Sequence, residues 1–275
     1  MAAAELSPAA AAFDAVAADF DRRFRPWLSV AKQRRAVRAE LKAAFPPGAR
    51  VLELGGGTGE DALWFAHHGR RVFLTDASPA MAAIAAAKLA SSPGSDVQCV
   101  DAAELDSFAA GRTASCEPMF DGAYSNFAAL NCVADLEPVA RGLAHLVPAG
   151  APVVLVLFGT FCPGEMLVEA LRGRPRNMLR RRKRGDVPAR LGGSDFTVRY
   201  HRSAEITRAM APWFILKRRR GIGLFVPPSA AEPWISRHRA TLQLLDRLDR
   251  TFARPLALLA DHILYRFERT AEVAP

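Results

Sequence analysis

The chain has 275 residues, half of them hydrophobic and 24% charged. That composition suits one large domain, or one domain with a substantial insertion, and excludes global disorder. The net charge of +9 is concentrated: RGRPRNMLRRRKR (172–184) holds eight cations and no acid, KRRR (217–220) adds four, and the remainder carries −3. Such a distribution argues against a protein that wraps nucleic acid over a broad face.

The alanine-rich N-terminus is interrupted by Glu5, Asp14 and Asp19 and has no basic leader, so it does not read as a secretory signal. APVVLVLFGTF is too short to span a bilayer. Cys99, Cys116, Cys132 and Cys162 form no CxxC pair, and the histidines, His67 and His68 included, show no ligand spacing to them. Reduced thiols in a soluble cytoplasmic protein without a zinc site are expected.

In chain order, 8–24 and 29–45 read as helices, the second stopped by Pro46, Pro47 and Gly48. ARVLEL is a short apolar strand, followed by a glycine turn and the helix EDALWFAHHG with Gly69 as its C-cap. RRVFLTD is a strand, and Ser78 and Pro79 open the next helix. DVQCVD, FDGAYSNF and APVVLVLFG continue as strands, with helices over 102–110 and 134–146 between them. This alternation predicts a parallel sheet covered on both faces, with ligands beyond the carboxyl ends of the strands. After Phe161 the rhythm changes: a helix PGEMLVEALRG, the basic stretch, a strand-like DFTVRYH, a helix SAEITRAMAPW and a strand FILKRRRGIGLFV. A Pro-rich break precedes the amphipathic helix ISRHRATLQLLDRLDRTF, and ILYRFER alternates in the manner of an edge strand.

The chemistry gathers at residues 51–78. Glu53, Gly55, Gly56, Gly57 and Gly59 spell E-x-G-x-G-x-G at the exit of the first strand, where glycines let backbone approach a ligand and the next helix presents its N-terminus. A tight turn or a nicotinamide fingerprint would look similar at first sight. The dinucleotide pattern, however, needs a glycine where this chain has Glu60, and Glu60 with Asp61 would set two acids where a pyrophosphate should rest. The ligand suggested is one carrying a cation and a nucleoside.

With LELGGGTGEDA, VFLTDAS, CVDAAEL and FDGAYSNFAALN in order, the sequence resembles the class I S-adenosylmethionine-dependent methyltransferases over residues 13–160 and the closing strands. The resemblance implies a Rossmann-like, seven-stranded, mostly parallel α/β sheet with helices on both faces and an antiparallel C-terminal edge strand. It further implies an N-terminal helical cover (1–45), a cofactor-binding core (46–160), a substrate-cap insertion with the basic loop (161–200) and a C-terminal part of the core (201–275) with a helical insertion at 228–260. S-adenosyl-L-methionine is the implied cofactor. Glu53 would face its ammonium, Gly55 to Gly59 would bend around methionine and ribose, and Asp76, with Ala77 beside it, would accept the ribose hydroxyls. Asp101 would accept from the adenine amine beside Ala102, and Asn126 and Phe127 would lie near the sulfonium. Asp61 also stabilises a helix start without any ligand. Phe20, where relatives often carry a tyrosine, is left to pack on the cofactor.

Candidate bases are His201, His238 and Tyr124, with Cys162 behind them, although positioning can carry methyl transfer without a base. The acids by which magnesium-dependent relatives hold their metal are absent from SNF and FGTFC, so no metal is expected. Phe158, Phe161, Met166, Trp213, Phe225 and Trp234 could line an acceptor pocket or serve as plain core. The acceptor expected is a small organic or lipid-like molecule methylated at oxygen, in a biosynthetic role with no obligate protein partner. Residues 172–184 read as a solvated loop, an anionic-membrane contact or an RNA contact, and the lack of interleaved aromatics weighs against RNA. The rival readings are an RNA or protein methyltransferase using that stretch, and a non-catalytic cofactor-binding subunit.

Overall fold

The structure, a computed structural model, describes residues 6–115 and 119–271; Cys116 lies outside them. Five parallel strands, β1 (Arg50–Leu54), β2 (Arg71–Asp76), β3 (Asp96–Cys99), β4 (Gly122–Ser125) and β5 (Pro152–Phe158), form one sheet with β8 (Phe214–Ile222) and β9 (His262–Arg269). Their order is β3-β2-β1-β4-β5-β9-β8, with β9 antiparallel to both neighbours. The antiparallel C-terminal strand thus lies one place inside the edge, and β8 occupies the edge itself. The burial of β9 explains this: its residues 262–265 are all buried, which a central strand requires.

Alternation along the strands divides the apolar residues between two cores. Leu52, Leu54, Phe73, Ala123, Val153, Leu155 and Tyr265 face α6 (Leu105–Ala114), α7 (Glu137–Leu146) and α9 (Ser203–Met210). Val51, Val72, Leu74, Tyr124, Val154 and Leu264 face α3 (Leu28–Ala44), α4 (Glu60–Ala66) and α5 (Pro79–Leu89). Each large side chain so buried contributes about 1.5–3 kcal/mol.

The helix expected over 8–24 is two, α1 (Pro8–Asp14) and α2 (Ala17–Phe24). The segment after β5 contains α8 (Pro163–Leu171) and then a hairpin, β6 (Asp186–Leu191) with β7 (Ser194–Arg199). The sequence does not mark β6 as a strand, because DVPARL contains a proline, which disfavours a strand interior. The hairpin packs on α1, where the Phe13 and Phe196 rings meet edge to face at 5.9 Å. The late helix is broken at His238 into α10 (Trp234–Arg237) and α11 (Arg239–Phe252).

Much of the positive charge is used internally. On β8, Arg218 and Arg220 both reach the buried Glu40 of α3, and Lys217 pairs with Glu268. In the basic stretch, Arg181 is buried between Glu165 and Asp261, donates to the carbonyls of Gly159 and Asp261, and lies over the Phe158 ring. Arg180 pairs with Glu165 at 2.7 Å. Residues 172–184 are therefore not a uniformly solvated loop. Against the opposing effect of their burial, Arg181 with Arg180 holds Glu165, and His262 with Arg181 holds Asp261, below the ordinary carboxylate range. Lowered folded-state pKa values stabilise the fold above the unfolded carboxylate range, and that stabilisation is lost as pH falls through the folded values. Arg181→Met, which removes the cation shared by two buried carboxylates, is expected to cost about 3–5 kcal/mol at pH 7, and urea titration would measure it. A loss no larger than that of an exposed Arg182→Met control would refute the assignment.

Candidate active site

The glycine turn is a sequence of specific backbone needs. Gly55, Gly57 and Gly59 have φ of 64°, 56° and 77°, in the left-handed region that glycine occupies without strain. A Cβ on Gly55 would strike Ala129, and one on Gly56 would strike Leu74 and come within 3.0 Å of the Glu53 carboxyl carbon. One on Gly57 would meet no atom within 4 Å, because the turn opens there into a cavity. The N–H of Gly56 goes to the Thr75 carbonyl (3.1 Å), that of Gly57 to Asp76 Oδ2 (2.7 Å) and that of Gly59 to the Gly56 carbonyl (3.0 Å). With these donors spent internally, the turn offers a poor cradle for phosphate oxygens.

The cavity has a volume of about 630 Å³, within the range of ligand pockets. Phe20, Glu53, Gly55, Gly56, Gly57, Asp61, Asp76, Ala77, Asp101, Ala102, Asn126 and Phe127 all line it; Gly59 sits behind them as the N-cap of α4. Asp76 is fixed by two backbone donors, Gly57 and Ser78 (2.9 Å to Oδ1), while burial raises its pKa. Asp101 accepts from the Ala103 N–H and the Ser7 hydroxyl, so it caps a short helix as well as facing the cavity. Asp61 accepts from Arg38 Nε and from Asn126 Nδ2, both at 2.7 Å. Immediately beyond Asn126, Phe127 and Ala128 hold φ of 47° and 64° without being glycine, strain of the kind that persists where surroundings enforce it.

Two buried polar atoms of opposite sign are left over. Among the described residues, Glu53 Oε2 and Arg34 Nε have no hydrogen-bond partner, and both side chains line the cavity. Burial, then the neighbouring Asp61, pushes Glu53 well above the ordinary carboxylate range. Arg34 makes only long ion pairs to Glu60 (3.7 Å) and Asp61 (3.8 Å) and lies 5.3 Å over the Phe127 ring.

Residues 52–153 match a family model described as a methyltransferase domain. The chain carries a methyltransferase domain of the Rossmann-like class I fold. Solved structures share its fold: an S-adenosylmethionine-dependent methyltransferase from Listeria monocytogenes, described as putative, is similar at 16% identity, TM-score 0.56, over 84% of this chain and 96% of its own. A DhpI–SAH complex matches at 16% identity, TM-score 0.56, over 96% of each chain. A geranyl diphosphate C-methyltransferase from Streptomyces coelicolor A3(2) matches at 12% identity, TM-score 0.50, over 86% of this chain and 79% of its own. No curated protein matches in sequence.

Methyltransferases of this fold use S-adenosylmethionine, and the residues present fit it: an acid and a cation with unfilled hydrogen-bonding atoms for its methionine end, and an open glycine turn leading to Asp76. None of the proposed bases lines the cavity. His201 is buried in a neighbouring polar pocket with Nε2 on the Val133 carbonyl (2.9 Å). His238 is exposed, bonded to the Trp234 carbonyl (2.9 Å). Tyr124 is fully buried in the core, and burial with the neighbouring Glu53 drives its pKa well up. Its hydroxyl and Glu53 shift one another's ionisation without closing a hydrogen bond. Cys162 caps α8, and burial pushes its thiol up to about 12.

The expected acceptor wall is also elsewhere. Phe158 stacks on His262, Phe225 packs on Phe252, and Trp213 lies against the core under α7 and α9. Neither they nor Phe161, Met166 or Trp234 reach the cavity. Its wall beyond the glycine turn is Phe24, Trp27, Val30, Ala31, Arg34, Arg38 and Trp64, from α2 to α4. The cations that alternate with apolar residues on α3 are the signal for that wall in the sequence. The contact between Gly56 and Leu74 can be tested by a mutant cycle. Gly56→Ala is expected to cost about 1–3 kcal/mol by overpacking and much less in a Leu74→Ala background. Equal costs in both, by chemical denaturation, would rule out the clash.

Proposed function

We propose that Glu53 and Arg34 together read the zwitterionic methionine end of the cofactor, and that the enzyme methylates oxygen on a small organic acceptor. The observation that supports the first part is the pair of partnerless buried atoms, Glu53 Oε2 and Arg34 Nε, in one cavity. An ammonium offers donors only and a carboxylate acceptors only, so an amino-acid end would satisfy both at once. Asp76, held by Gly57 and Ser78, keeps lone pairs for ribose hydroxyls, and Phe20 and Phe127 supply apolar walls.

The bound cofactor supplies an electrophilic methyl group. What this chain must supply is a positioned acceptor in a reactive state. Among the described residues, the acids of the outer cavity are all engaged: Asp21 with Lys88 and Thr58, Glu60 with Lys88, and Asp61 with Arg38 and Asn126. Burial pushes the Cys132 thiol up to about 12. No free base stands there, whereas Arg25, Arg34, Arg35, Arg38 and Lys42 all line the wall. This favours an acceptor oxygen that ionises unaided near neutral pH, a carboxylate or an acidic phenol, on a body that suits Phe24, Trp27 and Trp64. Positioning then carries the rate, at about 7–11 kcal/mol for a near-attack geometry.

Two experiments test this. Calorimetry should show S-adenosylhomocysteine binding more tightly than methylthioadenosine, which lacks the amino-acid end. That preference should collapse in Glu53→Gln and Arg34→Met, while Asp76→Ala weakens both ligands by about 1–3 kcal/mol. Because Glu53 must be ionised to hold an ammonium and its pKa is raised, wild-type affinity should fall as pH drops through that raised value, and Glu53→Gln should flatten the profile. A preference unchanged in both variants would contradict the methionine assignment. For the acceptor, incubation with methyl-labelled cofactor and a lysate of the source organism should put label in small organic-extractable products. Label in precipitated RNA or protein would refute the acceptor class, and tight cofactor binding with no labelled product would favour a non-catalytic subunit.

A further inference from the structure

Residues 163–185 fold into a surface that the cofactor site does not use. Leu167 and Leu171 lie one turn apart on α8 and are 61% and 80% exposed, which places them on one helix face. Leu179 and Trp234 are also more than half exposed. These residues belong to one neighbourhood. Asn177 donates to Glu169 and Arg180 to Glu165, which folds the basic loop back on α8. Arg172 reaches the Ala230 carbonyl, and Val168 packs in the small core of Ala231, Ile235 and Leu242 that carries the Trp234 turn.

The charge around this ridge is of one sign. Arg174, Arg176, Arg182, Lys183 and Arg184 are exposed and have no ion pair among the described residues. The two acids of α8, Glu165 and Glu169, are buried and already paired. Arg180 and Arg181 are the anchors of the loop and are not available to a partner. An exposed leucine and tryptophan ridge rimmed by free arginines, with no exposed acid on α8, has the composition of an interfacial membrane surface. A nucleic-acid groove would instead place cations along a track with aromatic platforms, and Leu167 and Leu171 would have no task there. Among the described residues no helix is long and apolar enough to cross a membrane, so contact would be peripheral.

We propose that this face, Leu167, Leu171, Leu179 and Trp234 with the free cations of 174–184, docks reversibly on an anionic lipid bilayer. Leu28, the neighbour of Trp27 on the cavity wall, packs against the small core beneath this face. The proposal does not rest on the acceptor assignment.

Vesicle co-sedimentation with the full chain tests it, comparing phosphatidylcholine alone with phosphatidylcholine containing 30% phosphatidylglycerol. Binding should be at least tenfold stronger on the anionic vesicles at low salt and should fall steeply towards 0.5 M NaCl. Leu167→Asp/Leu171→Asp, and separately Arg174→Gln/Arg176→Gln/Arg182→Gln/Lys183→Gln, should each weaken it about tenfold while unfolding at the wild-type urea midpoint. Blue-shifted emission from the Trp234 region on vesicle addition, lost in Trp234→Phe, gives a second readout that truncates no charge. Equal binding to neutral vesicles, no binding at low salt, or retention of RNA that the leucine variant leaves intact and the basic variant abolishes would each overturn the proposal.

Discussion

Asp61 is the point at which three separate stretches of chain are joined. It opens α4 directly after the glycine turn, takes Arg38 from α3 on one oxygen and takes Asn126 from the end of β4 on the other. Burial at 5% exposure would be costly for a lone carboxylate, and the two donors offset that cost. The consequence is geometric. α3 is drawn across the carboxyl ends of the central strands, so that Arg34 and Arg38 become part of the cavity wall. The strained Phe127–Ala128 step is held against the same ends. Without that junction the cofactor residues would still lie in a row, but α3 would lose its polar tie to the turn and to the end of β4.

The junction also alters the reason for disfavouring a diphosphate. In the sequence, Glu60 and Asp61 stand beside the glycines as two bare acids. In the fold each has cations: Lys88, Arg25 and Arg34 about Glu60, and Arg38 and Arg34 about Asp61. Their repulsion is largely neutralised. The backbone makes the distinction instead, because the Gly56, Gly57 and Gly59 donors are consumed inside the protein.

What could be read from the sequence was local. Strand alternation, the E-x-G-x-G-x-G turn and an acid closing each of two strands specify neighbours within a few residues, and the parallel order brings those strand ends together. Hence the residues assigned to the cofactor converge on one cavity. The acceptor wall and the bases depended on long-range packing. His201 and Tyr124 have the right chemistry, but burial and the Val133 carbonyl on one side, and the core about Phe65 on the other, commit them elsewhere. Arg34 was missed because an arginine on an amphipathic helix looks solvated until the helix is laid over a cavity. The basic stretch shows the same limit in reverse. Eight like charges in thirteen residues suggest a single task, yet Arg181 is a buried anchor while Arg182 beside it is exposed.

That division has a chemical consequence for the site. The insertion is fastened at its base, where Arg181 joins Glu165 of α8 to the Gly159 carbonyl after β5 and to Asp261 before β9, so its exposed ridge is carried on an anchored foot rather than a free loop. α1, whose Phe13 lines the cavity, is backed by the β6–β7 hairpin through Phe196, and α2 is latched by Asp21 to Thr58 and Lys88. Two covers, α1 and α2, thus line one opening, each tied down by a charged or aromatic contact that is separate from the other. On the reading proposed above, an enzyme lacking a free base in its acceptor half depends on those covers: when chemistry is left to position, fixing the walls is the larger part of catalysis.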